Sequence, residues 1–344
     1  MNLMDVLLFQ DRHELIKLVK DCDVSPNINS KRELIEVIYP SLVNDEHVSE
    51  RFRCLTTEAQ KMALALCYDK KIMLSKEELN GFSPRLKGKP FDELMEELTT
   101  NGFLFSYVDR NYLVPSQIKK GLLHSIQTRL EEGSLILPPF SNDNKEITIV
   151  NDIFVFIDYV AGQPLSLTKT GVMYKKDFNL VMKDFSYKEE LPKEQWRFGY
   201  GRRFSQYPDR FSLIYDFCFY KGWLSENEST LTVQKQVEEL YNMRIHELIG
   251  SIIIYWQKLY RRPFPNVSIL YELVLNSLRE GEGIEEEHII STLSPFVTEY
   301  YFDTKEDVVK KRFINVLNYL NIIKKVELNY FIGYTVGPSL NFLK

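Results

Sequence analysis

Apolar residues fall at helical spacing and then switch to short alternating runs at least twice along this chain, with a third, looser occurrence. The clearest copy lies between Leu55 and Ile118. Met62, Ala63, Leu64, Leu66 and Cys67 share one face of a predicted helix that Thr56 or Thr57 caps. Ser75 caps a short second helix over 76–79. Leu94, Met95 and Leu98 mark the inner face of a third over 91–100, and Gly102 ends it. The runs 103–108 and 112–114 then read as a hairpin turning at Asp109-Arg110-Asn111.

The second copy spans about 152–233. It has an apolar helix over 153–160, a short strand near Leu165-Ser166-Leu167, a helix opened by Tyr174-Lys175-Lys176-Asp177, a helix over 211–220, and a hairpin whose tip is Glu226-Asn227-Glu228. The third covers about 267–337 and ends in a hairpin, 326–331 with 334–336, turning at Gly333. Between the last two copies the pattern predicts one long helix over 236–260. The segment 131–150 reads as a linker, because Pro138-Pro139 and Ser141 to Asn144 break regular structure. Leu135, Leu137 and Phe140 suggest that it lies against a surface, and 146–150 reads as the start of a strand. Near the N-terminus, Leu15, Ile16 and Val19 and then Leu34, Ile35 and Ile38 mark two short helices, the second capped by Ser30 with Glu33 three residues on.

These elements give a mainly α chain with small β-hairpins, of α+β class. It is organised as tandem winged-helix domains preceded by a small helix–loop–helix module. The expected division is 1–50 helical module, 51–130 first winged helix, 131–150 linker, 151–235 second winged helix, and 236–344 long helix with a third winged-helix-like domain. Two stretches resemble known families. "ELIKLVKDCDVSPNINSKRELIEVI" resembles a SAP-type module, a family that often binds DNA, and Lys31 and Arg32 match its basic second-helix start. "LSLTKTGVMYKKDFNL" resembles the N-terminal-domain family of XPB-type helicases, through Leu165, Leu167, Thr168, Gly171, Lys175, Lys176, Asp177 and Leu180. That resemblance implies a helicase-associated DNA-processing role. The GxxxxGK[ST] loop and acidic metal strand of the helicase motor are missing from this sequence, so no ATPase activity is carried over.

The 344 residues carry a net charge of −5, spread unevenly. Only residues 161–222 are positive, at +4. Phosphate contacts supply most non-specific affinity for DNA, so any nucleic-acid contact is expected in that block alone. The candidate gripping residues are Lys169, Lys175, Lys176, Arg197, Arg202 and Arg203, with Trp196 and Tyr200 to stack on bases, as suits single-stranded or forked DNA. The same loop aromatics, Phe204 and Tyr207 among them, can instead be buried, and the arginines paired with carboxylates such as Asp184 or Glu194. In the first copy the third helix carries Asp92, Glu93, Glu96 and Glu97, which would repel phosphate. They suit a basic partner protein such as a helicase, nuclease or other DNA-processing enzyme.

Cys22, Cys54, Cys67 and Cys218 are scattered and read as reduced core thiols. The five histidines are equally dispersed, so neither a metal site nor a cofactor is expected. No hydrophobic run reaches membrane-spanning length, the first ten residues lack signal-peptide features, and the expected location is cytoplasmic. Hydrolase, metalloprotease, dinucleotide and P-loop motifs are absent, and a non-enzymatic role is expected. Two readings stand: a nucleic-acid-binding accessory factor in DNA processing or repair acting through 169–210, or an adaptor that docks a helicase or nuclease through acidic winged-helix faces.

Overall fold

A computed structural model describes residues 1–19, 26–69, 71–82, 90–138, 146–193, 201–227, 229–261, 264–328 and 331–343. It is mainly helical with small antiparallel sheets. Two compact units are distinguished. The first comprises Met1–Gly133 with Ser268–Ser277 and Ser291–Phe296, and the second Ser134–Val267 with Leu278–Ile290 and Val297–Lys344.

The chain opens with α1 (Leu3–Phe9), α2 (Arg12–Leu18), α3 (Lys31–Val43) and α4 (Asp45–Cys54). Ser30 accepts the N–H of Glu33 and caps α3, while the Glu33 carboxylate reaches the N–H of Asn27. Asn44 caps α4 through the N–H groups of Glu46 and His47. Next come α5 (Thr57–Tyr68), α6 (Lys76–Asn80), α7 (Phe91–Thr100), β1 (Phe105–Ser106), β2 (Tyr112–Leu113) and α8 (Ser116–Glu131). Asp109 and Arg110 both take positive φ in the predicted β1–β2 turn. Leu74 bridges to Tyr112, so a one-residue strand lies outside β2 and the order is Leu74, β2, β1. Phe52, wholly buried, meets Phe103 edge-on and stacks on Phe296 in the first unit's core.

The segment expected to be a linker contains β3 (Ser134–Ile136). The strand expected at 146–150 is instead the first turn of α9 (Thr148–Gly162). The reason is tertiary: the Asn321 side chain accepts the Ile149 N–H at 3.0 Å and the Thr148 hydroxyl at 2.9 Å, capping a helix start from a distant loop. Then follow β4 (Leu165–Ser166), α10 (Lys175–Asp184), α11 (Asp209–Tyr220), β5 (Leu224–Asn227) and β6 (Thr230–Val233), with strand order β4-β6-β5. Phe211 on α11 sits amid Phe156, Phe178, Tyr207 and Phe185, at centroid separations of 5.1–5.8 Å.

The expected single helix over 236–260 is two, α12 (Glu238–Asn242) and α13 (Ile245–Tyr260). The Glu247 carboxylate turns back to the Arg244 N–H at 2.9 Å and so makes a new helix N-terminus there. The rest is α14 (Val267–Ser277), β7 (Glu282–Glu285), α15 (Glu286–Leu293), α16 (Lys305–Val309), a π-helical turn over Lys310–Ile314, α17 (Asn315–Tyr319), β8 (Ile323–Leu328) and β9 (Phe331–Val336). The last sheet has the order β3-β7-β9-β8. Gly333 is not in its turn. It lies within β9, opposite Val326 on one side and Glu285 on the other. The register pairs Leu328 with Phe331, so the connection falls on 329–330, outside the described residues.

Chain order thus repeats three times as helix, strand, helix, helix, strand, strand. Each time the first strand pairs with the third rather than the second. The third copy alone adds β3 beyond its first strand.

Candidate functional site

Loop closure builds the candidate site in the second copy. Leu167 bridges to Met173, so residues 168–172 form a tight loop between β4 and α10. Thr168 accepts the Gly171 N–H at its carbonyl and the Val172 N–H at its hydroxyl. Gly171 takes φ +73°, and a Cβ there would come within 2.1 Å of the Arg203 Nη2 atom. Arg203 lies against this loop and donates to the Thr170 carbonyl at 2.7 Å. The fold therefore brings Lys169 and Arg203, which are far apart in sequence, to one loop.

Arg202 and Arg203 are not free cations. Both guanidinium groups donate to Oε2 of Glu226, at 3.2 and 3.1 Å. Its Oε1 accepts the Tyr215 hydroxyl at 2.6 Å. Burial and this carboxylate push the Tyr215 phenol far above its usual range. Arg202 also lies flat over the Phe219 ring, 3.7 Å from its centroid. Glu226 is thus the anchor of two arginines rather than an exposed wing-tip acid, and its side chain is only 11% exposed. Sequence reasoning missed it, because a β-hairpin acid reads as solvated until the partner loop is placed.

The other candidates divide. Lys169, Lys175 and Lys176 are exposed and make no ion pair among the described residues. Tyr174, half exposed, stands beside them at the start of α10. Tyr207 is fully buried; its oxygen accepts the Met173 N–H at 2.7 Å, so it holds the loop instead of offering a stacking face. Trp196, Arg197 and Tyr200 lie outside the described residues.

A second cluster, unforeseen in the sequence, lies at the start of α11. Arg210 and Asp152 are both fully buried and pair at 2.5 Å. Arg210 also reaches the Thr148 hydroxyl and the Tyr319 carbonyl, while Asp152 accepts the N–H groups of Ser186 and Tyr187. Glu189 accepts the N–H groups of Arg210 and Phe211 in the first turn of α11. Burial nonetheless raises its carboxyl to about 7 against the opposing pull of Arg210. With every charge answered internally, this cluster holds α9, α11 and the 185–190 segment together. No group of His, Cys, Asp or Glu suited to a metal occurs among the described residues.

On α7 the four acids also separate. Glu97 accepts the backbone N–H and the hydroxyl of Thr56, at 2.6 and 2.8 Å, and so caps α5. Asp92 pairs with Lys76 at 2.8 Å on the surface. Glu93 and Glu96 stay exposed. In the N-terminal module, Lys31 donates to the Leu8 carbonyl and Arg32 pairs with Glu36. Of the thiols, Cys67 and Cys218 are buried but Cys54 is exposed, since it sits at the solvent side of the last turn of α4. No helix among the described residues is long and apolar enough to cross a membrane. No family model, curated protein or solved structure matches the chain.

Proposed function

We propose that this chain is a non-catalytic docking protein built from three winged-helix repeats, and that its principal ligand is a protein. The repeated element order with first-third-second strand pairing supports the winged-helix reading. One observation favours a protein over a DNA groove: the third helix of every copy is unfit to enter one. In the first copy α7 presents Glu93 and Glu96. In the second, α11 buries Arg210 through Tyr215, Phe217 and Cys218. In the third, Lys310 and Lys311 are paired with Glu286 and Asp307. A recognition helix needs an exposed face with donors for bases and phosphates. The exposed carboxylates of α7 suit a basic partner. Proteins that co-purify with the wild type from its host, and are lost with Glu93→Lys/Glu96→Lys, support this reading. Identical partners in both preparations count against it.

A second reading is favoured by Lys169 in the loop and Lys175 and Lys176 at the start of α10, which make no ion pair among the described residues and lie beside the exposed ring of Tyr174. The resemblance of 165–182 to helicase-associated domains adds DNA as that ligand. Anisotropy with labelled single-stranded, duplex and forked DNA across a salt series separates the readings. Micromolar binding that falls steeply with salt and is lost in Lys175→Glu/Lys176→Glu establishes the nucleic-acid role. No binding at low salt leaves the protein-docking role.

A further inference from the structure

Resting on the protein-docking reading, we propose that the outer edge of β3 takes up an extended, basic segment of a partner protein as an added strand. The third sheet has four strands because β3 has already added to β7. That pairing moves the open edge outward rather than closing it. Leu135 lies opposite Gly283, and the Leu137 N–H donates to the Gly281 carbonyl at 2.9 Å. Residues 135 and 137 therefore turn their backbone groups toward β7. Ser134 and Ile136, which alternate with them, turn theirs outward. Among the described residues no strand pairs with that side.

The side chains agree with an edge meant to be covered. Ile136 is 87% exposed and Leu135 53%, one on each face of the sheet. The opposite edge is guarded: β8 carries exposed Lys324, Lys325 and Glu327, the usual defence against strand addition. β3 has no charged residue. Such an edge binds by main-chain hydrogen bonds, with alternate side chains setting specificity.

Charge selects the occupant. Glu282 lies opposite Ile136 on one face, and Glu285 shares the other face with Leu135. Glu280 stands in the lead-in to β7. None of the three makes an ion pair among the described residues. A strand laid on β3 would find a carboxylate on either face within reach of a long basic side chain. A second copy of this chain would instead bring two sets of these carboxylates together, so the partner is a lysine- or arginine-bearing strand of another protein.

The test uses full-length protein and a labelled peptide alternating Lys and Val, with its Glu/Val counterpart as control. The Lys/Val peptide should bind in a salt-sensitive way and the Glu/Val peptide should not. Ile136→Pro removes an N–H that points away from β7, and Ile136→Lys installs the guard seen on β8. Each should weaken Lys/Val binding at least about tenfold while thermal melts stay near wild type. Glu282→Lys/Glu285→Lys should do the same. Undiminished binding by the Ile136 variants, equal binding of both peptides, or a dimer that Ile136→Pro abolishes would overturn the proposal. Failure here together with partner loss in Glu93→Lys/Glu96→Lys removes the β3 edge alone and leaves the docking reading intact.

Discussion

Arg203 and Glu226 face each other at 3.1 Å, and the same carboxylate oxygen receives Arg202 at 3.2 Å. The two arginines that look most available for phosphate in the sequence are thus held by one partly buried acid. Replacing Glu226 by Gln should release their charge and unsettle the loop they brace. We expect a destabilisation of about 1–3 kcal/mol, read from urea midpoints, and later elution from heparin. Unchanged heparin retention would show that the arginines were accessible already.

The Arg210–Asp152 pair is enclosed at both ends, so removing the cation strands a buried carboxylate. Arg210→Met should cost about 3–5 kcal/mol. Arg210→Lys should rescue little, because a single ammonium cannot serve Asp152, the Thr148 hydroxyl and the Tyr319 carbonyl together. Denaturant unfolding followed by Trp fluorescence reports this directly, since Trp223 lies in the second copy and is fully buried.

Glu189 sets a pH dependence of unusual sign. Its folded carboxyl titrates at about 7, above the ordinary unfolded value near about 4.3. The folded state therefore holds more protons across that window, and stability falls as pH rises through it. Its contribution is complete below about pH 4 and gone above neutrality, a change of roughly 3–4 kcal/mol. Glu189→Gln should flatten the wild-type slope between these limits. If the two proteins keep parallel stability–pH curves, the Glu189 carboxyl titrates in the folded protein as it does in the unfolded chain.

Glu97 and Glu93 lie one helical turn apart but differ in role. Glu97→Ala removes the acceptor for the Thr56 N–H and should lower stability by about 1 kcal/mol. Glu93→Ala should stay within about 0.5 kcal/mol. Thermal melts of the two variants side by side are sufficient.

Gly171 combines positive φ with contact against Arg203. Gly171→Ala is strained in backbone and displaces the guanidinium, so a loss of about 1–3 kcal/mol is expected. Proteolysis should speed up at the 168–172 loop. A variant as protease-resistant as wild type would mean that Arg203 relaxes without cost.

Local pattern was sufficient for much of this protein. Helical spacing of Leu94, Met95 and Leu98 with Gly102 behind them set α7 at its observed bounds. The β5–β6 hairpin also falls where the sequence placed it, although Glu226 and Asn227, expected at its tip, lie within β5, and Asp109-Arg110-Asn111 set its counterpart in the first copy. Such signals need only neighbours a few residues away. The start of α9 did not follow from them, because its cap, Asn321, is 172 residues from Ile149. Likewise 134–136 became a strand only when β7 supplied partners for its backbone.

The candidate site was legible in its residue types but not in its charge balance. Lys169, Lys175 and Lys176 are exposed as their composition suggests, since they make no ion pair among the described residues. Whether Arg202, Arg203, Glu97 and Tyr207 face solvent was decided by Glu226, Thr56 and Met173, each brought near by packing of distant segments. Elements such as α7 and the Asp109-Arg110-Asn111 turn arise from short-range hydrogen bonds and periodic burial, which the sequence alone determines. Which cations stay free, and which edge stays open, depends on long-range pairing that only the tertiary structure decides.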